Sequence, residues 1–228
     1  MSDGATMGGG ARVMNELGES LGLRERRKAE ARARIIQSAL AMFRERGYVN
    51  VTVDQIAEHA SVSRRSFFRY FPSKESVVMD RRLAQLGLLR EMLEKAPRSA
   101  TAGEVLRGAF AVIASDFERN RARILSERSL FSSARELKTR DMEIDRDFEV
   151  VLRDAILART HSPEAERAEL EQSARIFAAA AMGALRVLLD DWAASQGTMD
   201  LIRAGEPVFD VLEQLIPSAA RSKSAASA

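Results

Sequence analysis

The chain has 228 residues, 46% of them hydrophobic, enough to bury one large core or two smaller ones. It contains no cysteine, which excludes a disulfide framework, a thiol nucleophile and a zinc–thiolate site. No segment approaches the roughly 18 consecutive apolar residues that span a bilayer. The longest candidate, 176–189, is interrupted by Gly183 and Arg186. No apolar leader follows Met1, so the expected location is cytoplasmic and no membrane partner is expected. The net charge is only +2, but fifteen Lys/Arg face seven Asp/Glu between residues 24 and 90, whereas residues 91–228 carry nineteen against twenty-three. A basic front and an acidic back point to a polyanionic partner at one end.

In chain order, residues 1–23 contain Gly8-Gly-Gly10 and lack apolar periodicity, so a flexible tail is expected there. A helix follows over 26–46, with Ile36, Ala39, Leu40 and Phe43 as its apolar stripe and Gly47 as a left-handed stop. Tyr48-Val-Asn-Val51 leads to a second helix, where Thr52 and Gln55 match a capping box and Ile56, Ala57 and Ala60 face inward. Ser61 marks a turn, and a third helix covers 63–70. Pro72 breaks the chain, and Ser73 caps a fourth helix running to about residue 93. Lys95-Ala-Pro-Arg-Ser99 is the expected boundary before a second helical region, with helices at 103–119, 122–133, 142–159, 164–195 and 199–215. The Ser/Ala-rich stretch 217–228 is expected to be a second flexible tail. Almost nothing alternates with period two, so the fold class is all-α.

The stretch 52–74 is the most informative. A helix–turn–helix reads DNA with its second helix, which must be polar on one face and anchored on the other. Here Ser63, Arg64, Ser66 and Arg69 face outward while Phe67 and Phe71 anchor. The planar fork of arginine bonds guanine O6 and N7 together, which makes Arg64 and Arg65 the candidates for base contact. The Tyr70 hydroxyl can reach phosphate. Lys74 sits in the first turn of a helix, where a cation opposes the macrodipole unless an anion docks there. That gives it a phosphate role, the other reading being a solvated lysine. Thr52 caps another helix start and can offer hydroxyl and amide in the same way. Arg24, Arg26, Arg27 and Lys28 form a basic arm that could enter a minor groove or simply pair with Glu25 and Glu30.

The ordered set Ile35-Ile36, Phe43, Gly47, Thr52-Val53, Ile56-Ala57, Val62-Ser63 and Phe71-Pro-Ser-Lys-Glu75 resembles the DNA-binding domain of the TetR family of transcriptional regulators, over residues 29–89. The resemblance implies an N-terminal three-helix helix-turn-helix domain at 24–89, with the motif at 52–71. A larger helical ligand-binding and dimerisation domain at 96–216 would follow. It also implies phosphate contacts from Thr52, Tyr70 and Lys74, and base- or groove-facing positions for Arg64, Arg65 and Ser66. Two residues depart from the pattern. Phe68 stands where the family commonly has tyrosine, and Ser61 occupies a turn position often held by glycine. The implied function is a homodimeric repressor released from a palindromic double-stranded DNA operator by a small apolar effector. No enzymatic activity, cofactor or metal is implied. Two other readings remain open: a helical protein-interaction module with the same fold, and a non-specific DNA binder. The cluster of Arg64, Arg65, Arg69, Tyr70 and Lys74 weighs against the first, and sequence-independent affinity would mark the second.

The C-terminal half carries no catalytic pattern, and neither His59 nor His161 has a metal-ligating partner at helical spacing. Phe177, Ala181, Leu185, Leu188 and Trp192 form one stripe, widened by Ala178, Met182 and Leu189. A helix so apolar must be buried on several sides. By the resemblance, the last two long helices pack against a second copy, which assigns Leu185, Leu188, Trp192, Phe209 and Leu212 to a dimer interface. Phe110, Phe117, Phe131, Phe148, Leu152 and Met182 are candidates for the walls of an effector pocket, each with plain core as its alternative. Arg186 either holds an acidic ligand group or pairs with Asp190 one turn on. The element Phe67-Phe-Arg-Tyr-Phe71 together with Leu188-Leu-Asp-Asp-Trp192 resembles an actinobacterial-type subgroup that includes mycofactocin-associated regulators.

Overall fold

The computed structural model describes residues 8–160 and 163–215, with side chains from residue 22 onward apart from 132, 133, 213 and 215. His161 and the stretch 217–228 lie outside the described residues. The described residues form helices and no strand: α1 (Gly8–Arg46), α2 (Val53–His59), α3 (Arg64–Tyr70), α4 (Lys74–Val78), α5 (Asp80–Lys95), α6 (Ala102–Arg119), α7 (Arg121–Ser133), α8 (Arg135–Arg159), a 3-10 turn (Glu164–Glu166), α9 (Arg167–Ala194) and α10 (Leu201–Leu215). The chain divides into two compact units, one up to Val77 and one from Val78.

Two boundaries differ from the sequence reading. Helix α1 begins at Gly8, so the three-glycine run and most of the expected tail are helical. Glycine weakens a helix without forbidding it. The division between units falls at 77/78 rather than near residue 95, because the expected single helix 73–93 is broken at Met79 into α4 and α5. Helix α5 then packs on α6 and α8, and so belongs with the second unit.

In the first unit, Ile35, Ala39, Met42 and Phe43 of α1 meet Ile56 and Ala57 of α2 and Phe67 of α3 in a closed core. Gly47 ends α1 with φ +78°, as its left-handed role requires. Thr52 and Gln55 form the expected capping box, and Ser63 caps α3 by accepting from the Ser66 amide. At the start of α4, the amides of Ser73 and Ser76 bond each other's hydroxyls reciprocally.

The second unit is a helical bundle in which α8 and α9 make the longest contact and α10 bridges α9 and α6. Phe117 packs edge-on to Trp192 with ring centroids 5.0 Å apart, and Phe110 lies 5.2 Å from Phe209. The approach of α10 to α6 depends on Gly205, where a methyl group would sit 2.5 Å from the Phe110 ring. Gly205→Ala therefore overpacks this contact and is expected to cost about 1–3 kcal/mol. A urea titration checks this, and an unchanged midpoint would mean that the helices part freely.

Candidate nucleic-acid interface and the cavity of the second unit

Helices α2 and α3 are joined by a turn closed by backbone bonds from Ala60 N to Ile56 O, Ser61 N to Glu58 O and Val62 N to Ala57 O. Ser61 has φ +54°, the left-handed conformation that glycine adopts more cheaply, so the departure at this position carries backbone strain. Phe67 is fully buried beneath α3 and Phe71 follows at its end, with ring centroids 6.1 Å apart. These anchors turn Arg64, Arg65 and Arg69 to solvent.

The exposed residues differ in how free they are. Both oxygens of Asp54, in the first turn of α2, accept from Arg64 Nη1 at 2.7 and 2.6 Å, and the guanidinium also lies 5.5 Å from the Phe68 ring. An exposed pair of this kind contributes little stability, but it fixes where the fork points. Arg65 is exposed and, among the described residues, its side chain has no partner. Ser63 and Ser66 bond each other at 3.0 Å and serve the cap rather than standing free. Arg69 lies over the Tyr70 ring and donates to its hydroxyl at 3.2 Å. Phe68 is 44% exposed, an apolar group on the outward face.

Lys74 is neither merely solvated nor aimed only outward. Its ammonium donates to the carbonyls of Tyr48 and Val51 at 2.9 and 3.0 Å and sits 4.3 Å from the Tyr48 ring. It ties the α1–α2 connection to the start of α4, with one of its three protons left for another acceptor. The Tyr48 hydroxyl in turn donates to Glu75 at 2.5 Å. Partial burial acts to raise the Glu75 carboxyl, but hydrogen bonds from Ser73, Tyr48 and its own amide, with the charge of Lys74, outweigh it and hold the group below the ordinary 4.5. The stabilisation from this depressed value is fully present above pH 4.5 and is lost as pH falls through the lower folded value. Glu75→Gln is therefore expected to flatten the acid limb of a melting-temperature profile, and a profile identical to the parent's would contradict this. Sequence spacing gave no sign of this Tyr48–Lys74–Glu75 knot, since its members are 26 and 27 residues apart.

His59 is exposed on α2, with Ser38 Oγ 3.1 Å from Nδ1.

The second unit holds a cavity of about 350 Å³, open to solvent on one side, between α5, α6, α7, α8 and α9. Six of the seven expected lining residues are there: Phe110, Phe117, Phe131, Phe148, Met182 and Arg186. Leu152 is not; it is fully buried in the core away from the cavity. Arg186 pairs with Asp145 on α8 at 2.7 Å, not with Asp190, which is bonded by Arg128 instead. The unforeseen part of the wall is polar. It includes Arg81, Arg82 and Gln85 of α5, Arg128 of α7, and Lys138, Asp141 and Asp145 of α8. Arg82 donates to Asp141 at 2.9 Å and to Asp145, and lies 5.2 Å from the Phe148 ring. Burial pulls the Arg128 guanidinium below its ordinary value, against the opposing charges of Asp190 and Asp141.

Residues 35–79 match the family described as "Bacterial regulatory proteins, tetR family". The HTH-type transcriptional regulator TcmR of Streptomyces glaucescens is 37% identical over 92 residues, 40% of this chain and 41% of TcmR. MftR of Mycobacterium tuberculosis, a candidate mycofactocin biosynthesis transcriptional regulator, is 30% identical over 84 residues, 37% of this chain and 42% of MftR. The crystal structure of Thermus thermophilus FadR, a TetR-family transcriptional repressor in complex with lauroyl-CoA, superposes with a TM-score of 0.52 at 25% identity, over 82% of this chain and 95% of FadR. Residues 35–79 therefore carry the helix-turn-helix domain of the TetR family. The matches to TcmR and MftR span less than half of those relatives' lengths.

The residues expected at a dimer interface need correction. Leu188, Trp192, Phe209 and Leu212 are buried within the single chain, Trp192 completely, and Leu185 lines the cavity. The stripe was real, but it is the core side of the helix. The side of α9 left open carries Ile176, Ala180, Gly183, Ala184 and Val187, with Ile176 and Val187 54% and 60% exposed. Helix α10 adds exposed Ile202 and Val211. The sequence signal for this second face was its spacing, one apolar or small residue every three or four positions.

Proposed function

We propose that the protein is a cytoplasmic, homodimeric repressor that binds a palindromic operator through α3 and is released by a small, largely apolar effector held in the cavity of the second unit. The observation that carries the reading is the outward face of α3, where Arg65 stands free and Arg64 is pre-aimed by Asp54, above two buried aromatic anchors. Thr52, Tyr70, Arg69 and the third proton of Lys74 are assigned to phosphates, and Arg64 and Arg65 to base edges. Ser63 and Ser66 contribute through the capped amino end of α3. The exposed stripe on α9, extended by α10, is assigned to the two-fold contact, whose isologous symmetry suits a palindrome. Lauroyl-CoA bound to the Thermus relative supports an effector role for the corresponding unit here.

Release is a population shift: the effector must bind better to the conformation whose reading helices are wrongly spaced, since equal affinity for both moves nothing. Fluorescence anisotropy against DNA from the protein's own upstream region and a scrambled duplex, at two salt concentrations, tests the reading. Tight binding to the native duplex alone is expected. Equal, steeply salt-dependent binding to both would favour the non-specific reading.

A further inference from the structure

Taking the cavity as the effector site, as proposed above, its walls also specify the effector's chemistry. One side is apolar, with Phe110, Ile113, Phe131 and Met182. The other carries five cations, Arg81, Arg82, Arg128, Lys138 and Arg186, against three carboxylates. Every one of those carboxylates already accepts from an arginine of this chain: Asp141 from Arg82, Asp145 from Arg82 and Arg186, and Asp190 from Arg128. Glu127, which bonds Arg81 and Arg123, is likewise engaged. A cationic ligand would find no free counter-charge, whereas an anion would meet an excess of positive charge.

Two donors on this wall lack an acceptor. Arg81 Nη1 and Gln85 Nε2 are buried and, among the described residues, unpartnered. They lie four residues apart on α5, and so on one face of the helix. Gln85 as a whole is only 8% exposed. A buried donor left without an acceptor is costly, and such atoms in a folded protein call for a partner. We infer that the cavity binds an amphipathic anion, its acid group held by Arg81 and Gln85 and its apolar body lying among Phe110, Phe131 and Met182. The arginine fixes the polarity of the match, since guanidinium can only donate, while the glutamine amide can turn to suit the acid.

Isothermal titration of the full-length protein with decanoate, 1-decanol and decyltrimethylammonium, and with 2-naphthoate and 2-naphthylmethanol, tests this. At least one acid is expected to bind about tenfold or more tightly than its alcohol, with no binding of the ammonium. Gln85→Leu and Arg81→Met are each expected to remove most of that preference while leaving alcohol binding in place. Alcohol or ammonium binding as tight as the acid would overturn the inference and leave the effector cavity standing. So would an acid preference that survives in both variants. Failure of all five probes to bind would remove the cavity's effector role itself, and the inference with it.

Discussion

Asp145→Ala is expected to destabilise the second unit by about 3 kcal/mol, the lower end of the range for breaking a buried ion pair. Asp145 is 7% exposed and accepts from Arg82 through one oxygen and from Arg186 through the other. Removing it strands the Arg82 guanidinium, whose side chain is only 14% exposed and keeps Asp141 as its carboxylate partner. Arg186 is 55% exposed and recovers water, which keeps the loss from the top of the range. Urea denaturation of parent and variant reads the difference. A change under about 1 kcal/mol would mean that the cluster is solvated like a surface pair.

Trp192→Ala is expected to cost about 3–5 kcal/mol by emptying a large, fully enclosed site beside Phe117. Val187→Arg, on the opposite face of the same helix, is expected to leave the melting transition nearly unchanged at the level of the single chain and to yield monomers by light scattering. The pair separates two roles that one apolar helix can play. A folded monomer from Trp192→Ala, or a persisting dimer from Val187→Arg, would move the interface away from the open face of α9.

The contrast between these two residues shows what the sequence could and could not reveal. Periodicity located α9 and counted its apolar positions well, because burial demands the 3.6-residue repeat. It could not say which side met the chain's own core, since Trp192 and Val187 look alike without the positions of α6 and α10. The turn at Ser61 and the ends of the helices before it were legible because their chemistry is local: Gly47 and Thr52–Gln55 act within a few residues. Phe110, Phe117, Phe131, Phe148 and Met182 of the cavity were legible as large apolar side chains. Apart from Arg186 the polar wall was not, because Arg82, Asp141 and Asp145 are brought to Arg186 from two other helices. The role of Lys74 as a tether was hidden for the same reason, its acceptors lying more than twenty residues upstream.

Selection of bound duplexes from a random DNA pool, run in parallel with the parent protein and with Arg65→Ala, decides whether α3 reads base sequence. The parent is expected to enrich an inverted repeat whose half-sites lie on one face of the duplex. Arg65→Ala should lose preference at one position in each half-site, at a cost of about 1–3 kcal/mol. A pool that stays random with the parent protein would contradict a sequence-specific regulator, and an unchanged motif with Arg65→Ala would take base reading away from the free arginine of α3.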